Sequence, residues 1–223
     1  MLIRRALRRL RDEIVPPRDH AAIFGRIYRE NAWGDGESVS GPGSRRDRAA
    51  AFVGDLVAAL RHLEVRTLLD AACGDFNWAA PVAEAVEHYI GADVVAELVA
   101  ANQARHASAR RTFVQLDLTR DALPAADAVL CRDCLVHFSL ADVWIALDRI
   151  RESGARYLLA TTFDDRTYND DARTGAWRTL NMQAPPFAFP PPLLSIDERC
   201  MNGNGRYRDK RLAVWPVASL PRG

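Results

Sequence analysis

Carboxylates recur at regular places along the sequence. Asp70, Asp93 and Asp117 each close a short apolar run, Thr67–Ala71, Tyr89–Ala92 and Thr112–Leu116 or the residues just past it. A carboxylate at the end of a strand is seldom needed for packing, since charged side chains are almost never buried without a partner. It is well suited to accept hydrogen bonds from ligand hydroxyl or amino groups. Asp93 stands 23 positions after Asp70, the spacing at which an acid accepts from ribose hydroxyls beyond a phosphate-type loop. A fourth apolar run, Ala128–Cys131, is followed by Arg132, Asp133 and Cys134, with His137 one turn later. Asp133 and His137 are four apart, so they share a face if a helix begins near Asp133. Histidine there suits proton transfer near neutral pH. The competing reading is a structural pair, with Asp133 satisfying His137.

Cys131 and Cys134 have the C-x-x-C spacing. Zinc would require two further ligands, and no second pair exists. Buried free thiols are the expectation, and no metal is assigned.

Strand-like runs alternating with helical ones position these groups. Helices are expected over about 19–31, 45–63, 78–86, 94–106 and 140–151, and strands over the four runs above, Tyr157–Thr161, Leu193–Asp197 and Leu212–Val217. Such alternation implies an α/β fold with a doubly wound, mostly parallel sheet covered on both faces. The last two strands, joined across Asn202–Gly205, make an antiparallel hairpin at one edge, for seven strands in all. Ligands in such sheets bind beyond the carboxyl ends of the strands, where the acids lie. Residues 1–63 read as an N-terminal helical and lid segment. Residues 64–223 read as the ligand-binding domain, with an insertion at about 164–192.

Composition narrows the class. The chain has 223 residues, 48% hydrophobic and 26% charged, as expected of a globular domain. Net charge is +1, without the basic field of a nucleic-acid binder, and Lys210 is the only lysine. Four cysteines without a secretory signal suggest a reducing cytoplasm. Residues 1–15 interleave five arginines with Ile3, Leu7, Leu10 and Ile14. They read as an amphipathic helix that either packs on the domain or makes peripheral contact with a membrane.

The stretch Leu68-Leu69-Asp70-Ala71-Ala72-Cys73-Gly74-Asp75-Phe76, with Asp93, Asp117-Leu118 and the final hairpin, resembles the class I S-adenosylmethionine-dependent methyltransferases. The resemblance covers roughly residues 65–217. It implies methyl transfer to a small-molecule or glycan acceptor, by O- or N-methylation, with S-adenosylmethionine as cofactor. It also implies that Asp93 and Val94 hold the ribose end and Asp117 and Leu118 the adenine. The Asp70–Gly74 loop would take the methionine end, with Cys73, Phe76, Trp78 and Arg132 nearby. By the same resemblance Asp133 and His137 are the catalytic candidates.

One departure bears on the cofactor. Of the three spaced glycines usual in the first loop, only Gly74 stands, with Ala72 and Phe76 in the outer places. Phenylalanine there implies that the backbone does not need positive φ, or that the ring forms part of the ligand wall. The loss argues harder against a dinucleotide, whose pyrophosphate must approach the loop closely. An NAD-binding oxidoreductase and a non-catalytic scaffold docked through the arginine-rich helix remain the alternatives.

Two segments could enclose the acceptor. The loop Trp33–Ser44 has four glycines and a proline in twelve positions, and Ser38, Ser40 and Ser44 could bind a carboxylate. Arg45, Arg46 and Arg48 follow at a helix start, where cations are misplaced unless they serve an anion. In the insertion, Trp177 and Asn181 offer aromatic and polar handles beside Arg178, Phe187 and Phe189. Trp33, Ser44, Arg46, Trp177 and Asn181 are therefore the candidate acceptor-binding residues.

Overall fold

The computed structural model describes residues 19–223. The arginine-rich stretch 1–15 lies outside the described residues. The elements are α1 His20–Arg29, α2 Arg46–Ala49, α3 Val53–His62, β1 Thr67–Ala71, α4 Ala80–Glu84, β2 His88–Asp93, α5 Ala96–His106, β3 Arg111–Gln115, β4 Ala128–Cys131, α6 Leu140–Glu152, β5 Tyr157–Phe163, β6 Leu194–Asp197 and β7 Lys210–Pro216. The sheet has seven strands in the order β3-β2-β1-β4-β5-β7-β6. The first five are parallel, while β7 runs antiparallel to both β5 and β6. This is the doubly wound sheet with a terminal hairpin that the alternation implied.

The central strands β1, β4 and β5 are buried on both faces, so their sequences read as nearly continuous apolar runs, whereas the edge strands β3 and β6 are half exposed. Side chains still alternate. Leu69, Val129, Leu158, Ala213 and Trp215 enter one core with α6. Leu68, Leu130, Leu159, Leu212 and Val214 enter the other with Phe52, Leu56 and Leu60. Segment 46–62 thus shares its core with the sheet. Two helices carry side-chain caps: Asp19 Oδ1 accepts from Ala22 N at 2.9 Å, and Ser139 Oγ accepts from Asp142 N at 3.1 Å. No helix among the described residues is long and apolar enough to cross a membrane.

The chain departs from the expected helices in three places. The single helix over 45–63 is two, broken at residues 50–52. Alanines at 49–51 favour helix locally, but the turn carries the Phe52 ring onto the buried Arg132 guanidinium, 4.5 Å from its centroid. The helix over 78–86 shortens to α4, leaving Trp78 ahead of it to pack on the same cation. No helix begins at Asp133, whose φ is +52. Only a three-residue 3-10 turn, Leu135–His137, follows. The supposition that Asp133 and His137 share a helix face is therefore wrong.

Candidate functional site

A cavity opens at the carboxyl ends of β1, β2, β3 and β4, where a sheet of this kind binds its ligands. Its floor carries Ala71, Ala72, Gly74, Asp93, Val94, Leu116, Asp117 and Leu118. Helix α1 contributes His20, Phe24 and Tyr28, and the glycine-rich loop contributes Trp33, Val39, Ser40 and Ser44. Arg132, Asp133, Cys134, His137 and Phe138 form the wall beyond β4. Parallel strands place all three acids at one edge, but only Asp93 and Asp117 face the cavity.

Asp93 is anchored by backbone. Its Oδ2 accepts from Gly74 N and its Oδ1 from Val95 N, each at 3.0 Å. Burial pushes its carboxyl above the usual range, and these amides oppose the rise. The arrangement orients the carboxylate while leaving lone pairs for a ligand diol. Asp117 Oδ1 collects Thr119 N, Thr119 Oγ1 and His20 Nδ1 at 2.9, 2.7 and 3.1 Å. Burial works to raise the Asp117 carboxyl, but these bonds outweigh it and hold the group below its ordinary value.

Asp70 does not line the cavity. It lies behind the loop and accepts from Tyr89 Oη at 2.5 Å, and burial raises its carboxyl to about 6. Cys73 is buried beneath the loop against Gly91 and Asn102. Phe76 corrects both readings of its substitution. Its φ is +57, so the backbone does take the left-handed conformation, and its ring packs inward on Tyr89, Phe113 and His106. Core packing offsets the backbone strain of that conformation, which is of order 1–2 kcal/mol. Trp78 likewise supports the site from behind.

The glycine-rich loop is fastened to the β1 loop by Asp75, a residue that the strand-end pattern does not single out. Asp75 accepts from Ser38 Oγ and Val39 N, both at 3.0 Å, and its own N–H donates to Ser40 Oγ at 3.2 Å. Ser38 and Ser40 are therefore engaged within the protein. A Cβ on Gly74 would lie 2.1 Å from Ser40 Oγ. That close approach leaves no room for a side chain at the middle position of the loop. Arg45 meets Asp47 at 3.0 Å with Asp35 and Glu37 nearby, so its anions are internal. Arg46 donates to Asn77 outside the cavity.

Beneath the far wall lies a charge cluster assembled from three parts of the chain. Arg132 and Lys210 both meet Glu198 Oε2, at 2.7 and 3.0 Å, and Lys210 Nζ donates to Asp133 Oδ2 at 2.6 Å. Arg132 also donates to Gly43 O and stacks on Phe52 and Trp78. Its guanidinium is thus committed to structure, although the residue borders the cavity. Burial would raise the Asp133 carboxyl, but Lys210 and Arg132 hold it down at about 2. Asp133 is a fixed anion and a poor base. Sequence reasoning missed Glu198 and Lys210; the sole lysine, set in an apolar strand, was the available signal.

His137 is better placed to move a proton. Its Nδ1 lies 3.2 Å from Ala176 O, a pure acceptor. The proton therefore sits on Nδ1, and Nε2 carries the lone pair. Burial lowers its pKa below the ordinary 6.5, which keeps the ring neutral near pH 7. Trp33 packs on it with the rings tilted by 35° and their centroids 4.8 Å apart. Of the acceptor candidates, Trp33 and Ser44 border the cavity. Trp177 packs on Phe163 and Tyr207, and Asn181 ties together the turns of the insertion through Arg166 O and Gln183 N.

Residues 68–153 match the family model described as Methyltransferase domain. Among solved structures, the chain is similar to magnesium protoporphyrin IX methyltransferase (ChlM) from Synechocystis PCC 6803 with bound SAM. Identity there is 19% over 70% of this chain and 82% of that one, with a TM-score of 0.52. It is also similar to the methyltransferase domain of bacterial CtHen1, with 16% identity over 57% of this chain and 75% of that one and a TM-score of 0.46. CalS10, an amino pentose methyltransferase from Micromonospora echinaspora, has 20% identity over 52% and 49%, with a TM-score of 0.44. No curated protein matches the sequence. The matched domain and the sheet order set aside the dinucleotide reading.

Proposed function

We propose that this chain, a class I S-adenosylmethionine-dependent methyltransferase, methylates a hydroxyl or amine of a small polar molecule or sugar, with His137 as the general base. The observation that carries this reading is one cavity with acceptor carboxylates on its floor and a neutral, oriented imidazole on its far wall. The cavity suits the cofactor: Asp93 offers acceptors for a diol, and Val94, Leu98, Leu116 and Leu118 supply apolar surface for a purine. When bound, S-adenosylmethionine supplies the electrophilic methyl group.

The chain's own work is alignment, exclusion of water and one proton transfer. Asp93 and Asp117 would hold the nucleoside, and the Ala72–Gly74 backbone would meet the methionine end. Helix α1 and the loop Trp33–Ser44 would act as lid, and residues 64–223, with segment 46–62 packed on them, as the catalytic unit. Trp33 and Ser44 would border the acceptor, whose proton passes to His137 Nε2. Asp133, held anionic by Lys210, would stabilise the imidazolium that results.

Calorimetric titration of the full chain with S-adenosylhomocysteine tests the cofactor site. Micromolar affinity is expected, with a loss of 100-fold or more in Asp93→Ala. Unchanged affinity in that variant refutes the assignment of Asp93. Labelled-methyl transfer to pooled hydroxyl and amine compounds then identifies the acceptor.

A further inference from the structure

Helix α1 presents His20, Phe24 and Tyr28 to the cavity at i, i+4 and i+8. Ile23 packs from the same helix against Gly175 of the insertion, where a Cβ would stand 2.7 Å from its Cγ2. The helix thus lies between the cavity and the insertion.

His20 is 3% exposed. Its Nδ1 is 3.1 Å from Asp117 Oδ1 and 3.2 Å from Thr119 Oγ1, while its Nε2 makes no hydrogen bond and lies within ion-pair range of Asp142 Oδ2, at 3.5 Å. Its ring stacks on Phe138, with centroids 5.3 Å apart. Asp117 follows β3 and Asp142 begins α6. Strands β2, β1 and β4 separate β3 from β5, the strand to which α6 leads. A single side chain therefore bridges the two rims of the cleft.

A histidine with a carboxylate facing each nitrogen is favoured as the imidazolium, whose charge both anions stabilise. The bridge also determines which oxygen of Asp117 meets a ligand. Oδ1 already accepts from Thr119 N, Thr119 Oγ1 and His20, whereas the contact to Oδ2 is Arg120 Nε at 4.0 Å.

We propose that His20 is a positioning residue for the cofactor. By bridging Asp117 and Asp142 it turns Asp117 Oδ2 toward the 6-amino group of the adenine and clamps α1 over the bound nucleoside. This rests on the methyltransferase reading and adds a residue and a purine-selecting role to it.

The clamp is sensitive to pH. Burial works against the His20 charge, but bonding and charge from Asp117 and Asp142 prevail and raise its pKa from 6.5 to about 9. Among the described residues, the charged groups facing it are Asp117 from the loop after β3 and Asp142 from α6; Arg120 lies against Asp117 Oδ2, and Asp121 accepts from Asp117 N. Above about pH 9 the neutral ring leaves a lone pair against one carboxylate, and the clamp loosens.

The test is calorimetry of the full-length wild type, His20→Phe and His20→Asn with two probes. One is S-adenosylhomocysteine and the other its 6-deamino purine analogue, which has hydrogen in place of the 6-amino group and no ring proton that titrates in this range. Wild type is expected to prefer the adenine probe at least tenfold at pH 7 and to lose that preference as the pH passes 9. A tenfold change is what one bond to a charged group supplies. His20→Phe keeps the stacking on Phe138, and its preference should fall at least fivefold and no longer vary with pH. His20→Asn, with an amide donor near the Nδ1 position, should recover part of it, also without pH dependence.

Equal preference in wild type and His20→Phe, or a wild-type preference that is flat to pH 10, overturns the role of His20 while leaving the cofactor assignment intact. Absence of S-adenosylhomocysteine binding in the wild type overturns both. If circular dichroism shows His20→Phe unfolded, the wild-type pH profile and His20→Asn decide the matter.

Discussion

Replacing Gly74 by alanine should do far more than strain one residue. Gly74 has φ +56, and alanine in that region costs about 1 kcal/mol. Ala72 and Phe76 already occupy the left-handed region at φ +70 and +57 in the same loop, so this strain alone is tolerable. Steric contact costs more. The new Cβ would sit 2.1 Å from Ser40 Oγ and 3.0 Å from Ser40 Cβ, and ordinary contact begins near 3.4 Å. The lid loop must retreat by more than an ångström, and it is held through Asp75. Losing the Ser40 bond and weakening one bond to the Asp75 carboxylate costs about 2 kcal/mol. The expected destabilisation is about 3 kcal/mol, with at least a tenfold loss of S-adenosylhomocysteine affinity because the lid loop no longer closes. Ser40→Gly alone removes the bond from Asp75 N and the long contact to Asp75 Oδ1 and should cost about 1 kcal/mol. The double variant, relieved of the clash, should sit near 2 kcal/mol rather than the additive 4, a coupling of about 2 kcal/mol. Urea denaturation of the four proteins, with calorimetry at neutral pH, measures this cycle. A Gly74→Ala variant within about 0.5 kcal/mol of wild type, or strict additivity, would refute the close-packed lid.

Two further predictions follow from the protonation of buried groups. Asp70, raised to about 6 against 3.8 when unfolded, binds its proton more tightly in the native state. Its ionisation therefore costs stability as pH rises from about 4 through 6. Asp70→Asn, which can still accept from Tyr89, should be up to about 3 kcal/mol more stable than wild type at pH 8. That advantage should vanish near pH 4, and denaturant melts showing no gain at pH 8 would count against the reading. His137→Gln should lower kcat by 100-fold or more and remove an acid limb that in wild type lies below pH 6.5. Undiminished turnover across that range would exclude His137 as base.

Much of the fold is legible in the chain. The edges of β1 and β4 follow from apolar runs bounded by turn residues, and the antiparallel hairpin follows from the Asn202–Gly205 turn between two such runs. Asp93 and Asp117 can be placed at the cavity because a parallel sheet puts every strand's carboxyl end on one side. These features rest on short-range periodicity and on a rule of topology, both of which a linear sequence carries.

What tertiary structure alone decided depends on pairs far apart in the chain. His20 meets Asp117 across 97 positions, Lys210 meets Asp133 across 77, and Ser38 meets Asp75 across 37. Apart from Lys210, set in an apolar strand, no local pattern distinguishes these side chains from solvated ones, because their partners are brought near only when the sheet is wound and both faces are covered. The same packing turned Asp70, Phe76 and Trp78 away from the cavity. Each stands within a few residues of Gly74, but the alternation of faces and the room in the core sent them to the far side. The sequence determined the sheet and the acids at its edge. The assembled core determined which groups face the ligand and which charges they hold there.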